Sequence, residues 1–352
     1  MIPIANIYYL LCYAWGHFRA DEQIPVGTDD LADVANLVAR VLIRGSKGLC
    51  RRGLYRSYRA ERESLQRIRG RIDFMESISS LAFKSAKVVC EFDELTTDNL
   101  QNQILKATIR RLSRTAQVEK QTRSELAHLA HAFDGVSDIS LSAADFTRLQ
   151  IYSQSGVYRL LIRLCKLAYE SLLPLQNGNG WTFSDFTRDD VKMAKLFEDF
   201  VFSFFSAEQS EFKVKRDTLN WDVYAASELS LQYLPGMRTD VSLRSATRTI
   251  VLDAKYYQQT LATFYGKESI HSANLYQMFA YLKNFEQFPG QDAMAAGILL
   301  YPTVQQELDH AYNIQGHQLR VCTVNLAAPR THIHRRLLSL LTEGPSVAAI
   351  AV

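Results

Sequence analysis

The chain has little of what would settle its class at a glance. Its five cysteines (Cys12, Cys50, Cys90, Cys165, Cys322) are odd in number and far apart. Neither a disulfide framework nor a zinc site is indicated, and they read as buried thiols of a reducing cytoplasm. Glycine (16) and proline (8) are sparse in 352 residues, which argues against long linkers and low-complexity segments. No apolar run reaches the roughly eighteen residues that a membrane span needs. The apolar stretch Ile2 to Trp15 carries Asn6, Tyr8, Tyr9 and Tyr13. Lacking a basic leader and a small-residue cleavage site, it predicts an amphipathic or buried helix. There is no G-x-x-x-x-G-K-[ST] loop, so any nucleotide is handled by another chain. The histidine pairs His332/His334 and His128/His131 have no third ligand close in sequence, and no Ser, His and Asp grouping suggests a nucleophile elbow.

With 47% hydrophobic and 22% charged residues, the composition is that of a compact protein long enough for two domains. The first third predicts the aromatic helix and a second helix from about Asp29 to Ile43. Strand-like pieces come next at Arg71 to Phe74 and Lys87 to Phe92, then helices at Asn99 to Arg114 and Glu119 to Phe133. These make an N-terminal α+β domain over residues 1–150. Residues 151–352 predict a C-terminal α/β domain. Its helices run from Tyr158 to Leu173, Asp189 to Ser206 and Asn274 to Phe285. Its strands are Leu229 to Leu234, Thr239 to Leu243, Thr249 to Ala254, Gly297 to Tyr301 and Gln318 to Val324, and Asn177-Gly178-Asn179-Gly180 marks a turn.

The stretch from Met237 to Tyr257 carries the chemistry. With a turn at Ser245 to Arg248, Arg244 pairs with Thr249, Leu243 faces Ile250 and Val241 faces Leu252. The same register sets Asp240 across from Asp253, with Lys255 two residues along on that face. Directly opposed carboxylates repel unless something compensates, and a divalent cation is the natural compensation. Mg²⁺ suits two aspartates and a nearby backbone carbonyl, with water and phosphate completing its shell. An ion there would activate a water for phosphodiester hydrolysis beside Lys255. The competing reading is a solvent-facing edge hairpin with Lys255 as an ordinary salt-bridge partner. Against it, Asp253 follows Ile250-Val251-Leu252, a run typical of a strand buried on both faces. A later helix with Leu275, Met278, Phe279 and Leu282 as its packing stripe also places Gln277 and Tyr281 one turn apart.

This arrangement resembles the PD-(D/E)xK nuclease superfamily, with Asp240, Asp253 and Lys255 matching its motif. The resemblance implies catalytic roles for Gln277 and Tyr281 and a metal-binding role for Glu198 on an earlier helix. Asp199 would serve as well as Glu198, and either also suits a solvated face. Further blocks are Ile2-Pro3-Ile4-Ala5-Asn6-Ile7-Tyr8-Tyr9-Leu10-Leu11-Cys12-Tyr13-Ala14-Trp15, Arg51-Arg52-Gly53-Leu54, Arg69-Gly70-Arg71-Ile72, Asp253-Ala254-Lys255-Tyr256-Tyr257, Asn274-Leu275-Tyr276-Gln277 and Cys322-Thr323-Val324-Asn325-Leu326. Together these resemble the McrC family, nuclease subunits of McrBC 5-methylcytosine-specific restriction systems. That implies an N-terminal domain docking on a hexameric McrB-type AAA+ GTPase. It also implies a C-terminal PD-(D/E)xK restriction-endonuclease-like domain that cuts double-stranded DNA with Mg²⁺, and a partner that reads the methylated base.

The formal charge is only +3, so affinity for a polyanion must come from local clustering. Arg40 to Arg71 holds eleven basic residues against Glu61 and Glu63, a local +9. DNA phosphate, an acidic face of the GTPase and plain solvent all suit it. The N-terminal aromatics are assigned to the core, although base stacking is open to them. The alternative function is a non-catalytic, GTPase-activating adaptor whose nuclease fold only holds DNA.

Overall fold

The computed structural model describes residues 1–16, 33–149, 156–175, 180–223, 228–257, 262–264, 267–288, 290–304 and 307–342. Helix α1 (Ile4–Ala14) opens the chain. One compact unit then spans 33–184, and the other joins 185–342 to α1. The boundary expected near residue 150 therefore falls between Ser184 and Asp185.

The unit at 33–184 begins with α2 (Val34–Arg52), whose N-cap Asp33 accepts from Asn36 N at 2.9 Å. The expected start at Asp29 lies outside the described residues. The chain continues through β1 (Ser57–Leu65), β2 (Arg71–Ile72), α3 (Phe74–Ser79), β3 (Val88–Thr96), α4 (Leu100–Leu112), α5 (Lys120–His131), α6 (Ala143–Arg148), α7 (Gly156–Ser171), β4 (Leu172–Pro174) and β5 (Trp181–Phe183). Helix α2 packs on α5 and α7, and α4 does the same. Their apolar stripes, including Leu37, Val41, Leu105, Ile109, Leu161 and Leu164, form the core. Because α7 joins this core, residues up to 184 belong with it. The three-stranded antiparallel sheet has the order β1-β3-β2. Strand β1 escapes a reading of the sequence because Ser-Tyr-Arg-Ala-Glu-Arg-Glu-Ser-Leu shows no apolar alternation. It forms through a nine-residue ladder, from Ser57 opposite Thr96 to Leu65 opposite Val88.

The other unit continues with α8 (Asp190–Glu208), β6 (Lys213–Lys215), β7 (Thr218–Leu219), α9 (Glu228–Gln232), β8 (Met237–Arg238), β9 (Val241–Arg244), β10 (Thr249–Ala254), β11 (Ala262–Phe264), β12 (Lys267–Ser269), α10 (Ser272–Phe285), β13 (Ala296–Thr303), β14 (Asp309–Ile314), β15 (His317–Asn325) and α11 (Arg330–Ser339). Its six-stranded sheet runs β14-β15-β13-β10-β9-β6, with β10, β13 and β15 parallel at the centre and antiparallel strands outside. The strand expected at Leu229 to Leu234 is instead the short helix α9. Leu229, Leu231, Tyr233 and Leu234 are all exposed, so the alternation there buries nothing and gains no sheet partner.

Helix α1 belongs to this second unit, contrary to the expected 1–150 domain. Tyr9 and Tyr13 each pack on Phe200 of α8 at 5.7 Å between ring centroids, and Tyr13 packs on Phe204 at 5.4 Å. Asn6 Nδ2 donates to the carbonyls of Leu326 and Ala328 at 2.8 and 2.9 Å. The N-terminal tyrosines Tyr8, Tyr9 and Tyr13 are thus core, as their spacing predicts, whereas Trp15 is half-buried.

Helix α10 lies close over β13 because Gly297 has no side chain. A Cβ there would stand 2.8 Å from Met278 Sδ and 3.1 Å from Leu282 Cδ1. Gly297→Val should lift the helix and cost about 1–3 kcal/mol. A urea midpoint equal to that of the wild type would contradict this.

Candidate active site

The β9–β10 hairpin closes through its expected turn, where Ser245 N donates to Arg248 O at 2.9 Å and Ser245 Oγ accepts from Arg248 N at 3.2 Å. The pairs are Arg244 with Thr249, Leu243 with Ile250, Ser242 with Val251 and Val241 with Leu252, as the sequence predicts. The paired ladder ends there, one residue short of Asp240. Upstream, Thr239 is buried, and its hydroxyl accepts from Asp217 N at 2.9 Å and meets Ser242 Oγ at 2.8 Å. That contact holds Asp240 at the strand end, where Oδ2 accepts from Ala254 N at 2.9 Å.

All six residues of β10 are buried. Asp253 is 1% exposed, and both of its carboxylate oxygens are buried. Its compensation is the Lys255 ammonium, 2.9 Å from Oδ2. The charges of the two aspartates repel each other. Burial first, and the Asp253 charge second, push Asp240 up to about 7. Burial also raises Asp253, against the pull of Lys255. For Lys255, burial works against the charged form, but the two aspartates outweigh it and its pKa is raised.

Helix α10 supplies the next layer. Lys255 Nζ donates to Gln277 Oε1 at 2.9 Å, Gln277 Nε2 donates to Tyr281 Oη at 2.6 Å, and Tyr281 Oη donates to Arg238 O at 2.9 Å. Asp240, Asp253, Lys255, Gln277 and Tyr281 are therefore brought together. Glu198 is not joined to them by a hydrogen bond. Its charge is felt at both aspartates, but its Oε1 is held by Lys195 at 3.1 Å and Arg216 at 3.3 Å. Arg216 also binds Asp199 at 2.6 Å. Among the described residues, no three His, Cys, Asp or Glu side chains are grouped to hold a metal. The aspartate pair itself suits a hard cation: it is anionic and oxygen-only, and both oxygens of Asp253 are buried with a single ammonium, that of Lys255, against them.

Two polar residues near Lys255 have no signal in the sequence. Asn274 Nδ2 donates to Tyr301 Oη at 3.0 Å, and Asn274 Oδ1 accepts from Tyr257 at 3.2 Å. Tyr301 comes from the neighbouring strand β13, whose parallel register no sequence pattern discloses.

Over residues 6–302 the chain matches the protein family described as McrBC 5-methylcytosine restriction system component. It is 33% identical over 343 residues to the Type IV methyl-directed restriction enzyme EcoKMcrBC of Escherichia coli (strain K12), covering 97% of this chain and 98% of that protein. Among solved structures it is similar to the refined half-complex from the tetradecameric assembly of Thermococcus gammatolerans McrB AAA+ hexamers with bound McrC. The TM-score is 0.57 at 20% identity, over 96% of this chain and 76% of that one. At that identity the likeness speaks for the fold.

Proposed function

The chain belongs to the McrBC 5-methylcytosine restriction system component family, and from that premise we propose that it is the DNA-cleaving subunit of a GTP-dependent, modification-dependent restriction complex. The observation that carries the reading is the buried carboxylate of Asp253, facing Asp240 and bridged only by Lys255. Two buried carboxylates balanced by a single ammonium are costly in a structural role, and they suit a centre that holds Mg²⁺.

Asp240 and Asp253 would hold the ion, with a nearby backbone carbonyl. When bound, Mg²⁺ supplies Lewis-acid polarisation of the scissile phosphate and acidifies a water. The residues of the chain do the rest. The Ala254 N–H fixes one oxygen of Asp240. Lys255, 20% exposed on its side chain, would offset the negative charge that builds on the phosphate during attack. Gln277 takes one ammonium proton of Lys255 in a hydrogen bond and is held in turn by Tyr281, so the amine points in a fixed direction. Water attacks phosphorus directly, one P–O ester bond breaks, and no covalent enzyme intermediate is needed.

The partner in this reading is a McrB-type AAA+ GTPase hexamer, and the unit at 33–184 docks on it. The basic cluster supports this. Arg40, Lys47, Arg59, Arg62 and Arg69 are paired with acids of their own unit. Arg44, Arg51, Arg52, Arg56, Arg67 and Arg71 are exposed and have no ion pair among the described residues. In the same unit, Ile68, Phe74, Met75, Ile78, Leu81 and Phe83 are also exposed. Arginine together with exposed apolar side chains is the composition of a protein-binding surface rather than of a phosphate-binding one. Met75→Glu with Ile78→Glu should weaken association with the GTPase by about 2 kcal/mol or more, roughly 30-fold. Unchanged affinity in a titration would remove this unit from the interface.

The function is tested by combining the chain with its GTPase and methylated DNA. Cleavage is expected with GTP and Mg²⁺, and none with EDTA. No described helix is long and apolar enough to cross a membrane.

A further inference from the structure

Helix α10 forms three polar rungs, two at the six-stranded sheet and one at the separate β7–β8 pair. Tyr281 reaches Arg238 of β8, Gln277 reaches Lys255 just past the end of β10, and Asn274 reaches Tyr301 of β13. The third rung has no place in the hydrolytic scheme. Its position does bear on that scheme. In the parallel ladder Asp253 lies beside Leu299 and Ala254 beside Leu300, and Lys255 N donates to Leu300 O at 2.9 Å. Tyr301 therefore stands next to Lys255 and on the same face of the sheet. The other partner of Asn274, Tyr257, lies two residues beyond Lys255 along the chain. One buried amide thus ties together the strand beside Lys255, the segment C-terminal to it and the helix that supplies Gln277.

We propose that Asn274 is a positioning residue for Lys255, closing a Tyr257–Asn274–Tyr301 clamp that fixes where the ammonium stands between Asp253 and Gln277. The clamp is rigid by construction. Asn274 is 4% exposed and Tyr301 1%, so the bond between them does not compete with water. Tyr257 is stacked on His271 with centroids 4.5 Å apart and planes 18° from parallel, and its ring lies 6.2 Å from that of Tyr301. Strand β10 ends at Ala254, and just beyond it the Lys255 backbone N–H is bonded to Leu300 O. The amide uses both its acceptor and its donor, one towards each tyrosine.

The consequence for catalysis rests on the cleavage reading, whereas the geometry of Lys255 does not. The test therefore has two readouts. The first is the rate at which an acylating reagent modifies Lys255 in the full-length chain, resolved by peptide mass mapping. Lys283, exposed on the same helix and paired with Glu286, serves as the internal reference. The second is the cleavage rate of the complete GTP-dependent complex. Asn274→Ala is expected to raise Lys255 modification about tenfold relative to Lys283, and to lower cleavage about 10²-fold, the order of loss for a group displaced by about 1 Å. DNA affinity measured with Ca²⁺ in place of Mg²⁺ should not change. Tyr257→Phe removes only the partly exposed arm, keeps the buried Asn274–Tyr301 bond and should give an intermediate effect on both readouts. Unchanged Lys255 modification in both variants would overturn the proposal, whatever happened to cleavage. If the wild-type complex does not cut DNA, the cleavage reading fails while the modification rates still decide the clamp.

Discussion

Replacing Asp253 by alanine is expected to abolish DNA cleavage, a loss of about 10³-fold or more, while assembly with the GTPase and GTP hydrolysis stay near wild-type levels. The separation comes from the division of the chain. Asp253 sits on the central strand of the unit that includes 185–342, and the proposed docking surface lies in the unit at 33–184. The loss comes from chemistry: no other described carboxylate is placed to replace it, since Glu198 is engaged by Lys195 and Arg216. Asp253→Asn is the sharper variant because it keeps the volume of the side chain. DNA cutting undiminished in either variant would end the nuclease assignment and favour an adaptor that only holds DNA.

How much of the fold and the site is legible in the sequence depends on the range of the contacts. The hairpin is legible because its register is local: a four-residue turn and a strict alternation leave one pairing that buries Val241, Leu243, Ile250 and Leu252 together. The continuous burial of β10 is written in Ile250-Val251-Leu252. Gln277 and Tyr281 are legible because helical periodicity puts them one turn apart. Asn274 and Tyr301 are not, because their contact depends on which strand lies beside β10, and a parallel neighbour carries no local signal. The same limit explains the domain boundary. Sequence proximity groups helix α1 with the first domain, yet its tyrosines find their partners on α8, nearly two hundred residues on. Strand β1 is invisible for another reason: it is largely exposed, so no apolar face repeats along it. For Glu198 the pattern gives the right neighbourhood, but nothing in it announces that Arg216 holds the carboxylate.

Magnesium is expected to stabilise the wild-type chain strongly at pH 8 and only weakly at pH 5, and the metal-free chain is expected to lose stability between those values. Asp240, with an ordinary value of 3.8, is pushed up to about 7 by burial and by the Asp253 charge. Between about pH 4 and 7 the folded state keeps a proton that the unfolded state has released. The associated stability is fully present below about pH 4 and is lost as pH rises through 7, a change of roughly 4 kcal/mol at most. Asp98 and Asp309 work in the opposite sense and in another window. Their hydrogen-bond partners hold both at about 2, so their contribution is present above about pH 4 and lost below it. Acid unfolding and the decline above pH 5 are thus separate events, and only the second belongs to the candidate site. A divalent cation competes with the proton on Asp240, so it restores most where the proton has left. At a hundred times its Kd it adds about 2.7 kcal/mol. Denaturant midpoints measured at pH 5, 6.5 and 8, in EDTA and in Mg²⁺, separate these contributions. Asp240→Asn should flatten the metal-free decline and lose most of the response to Mg²⁺. If the wild-type midpoint in EDTA stayed level or rose from pH 5 to pH 8, burial would not be raising Asp240. If Mg²⁺ stabilised Asp240→Asn as much as the wild type, the ion would be binding somewhere other than the aspartate pair.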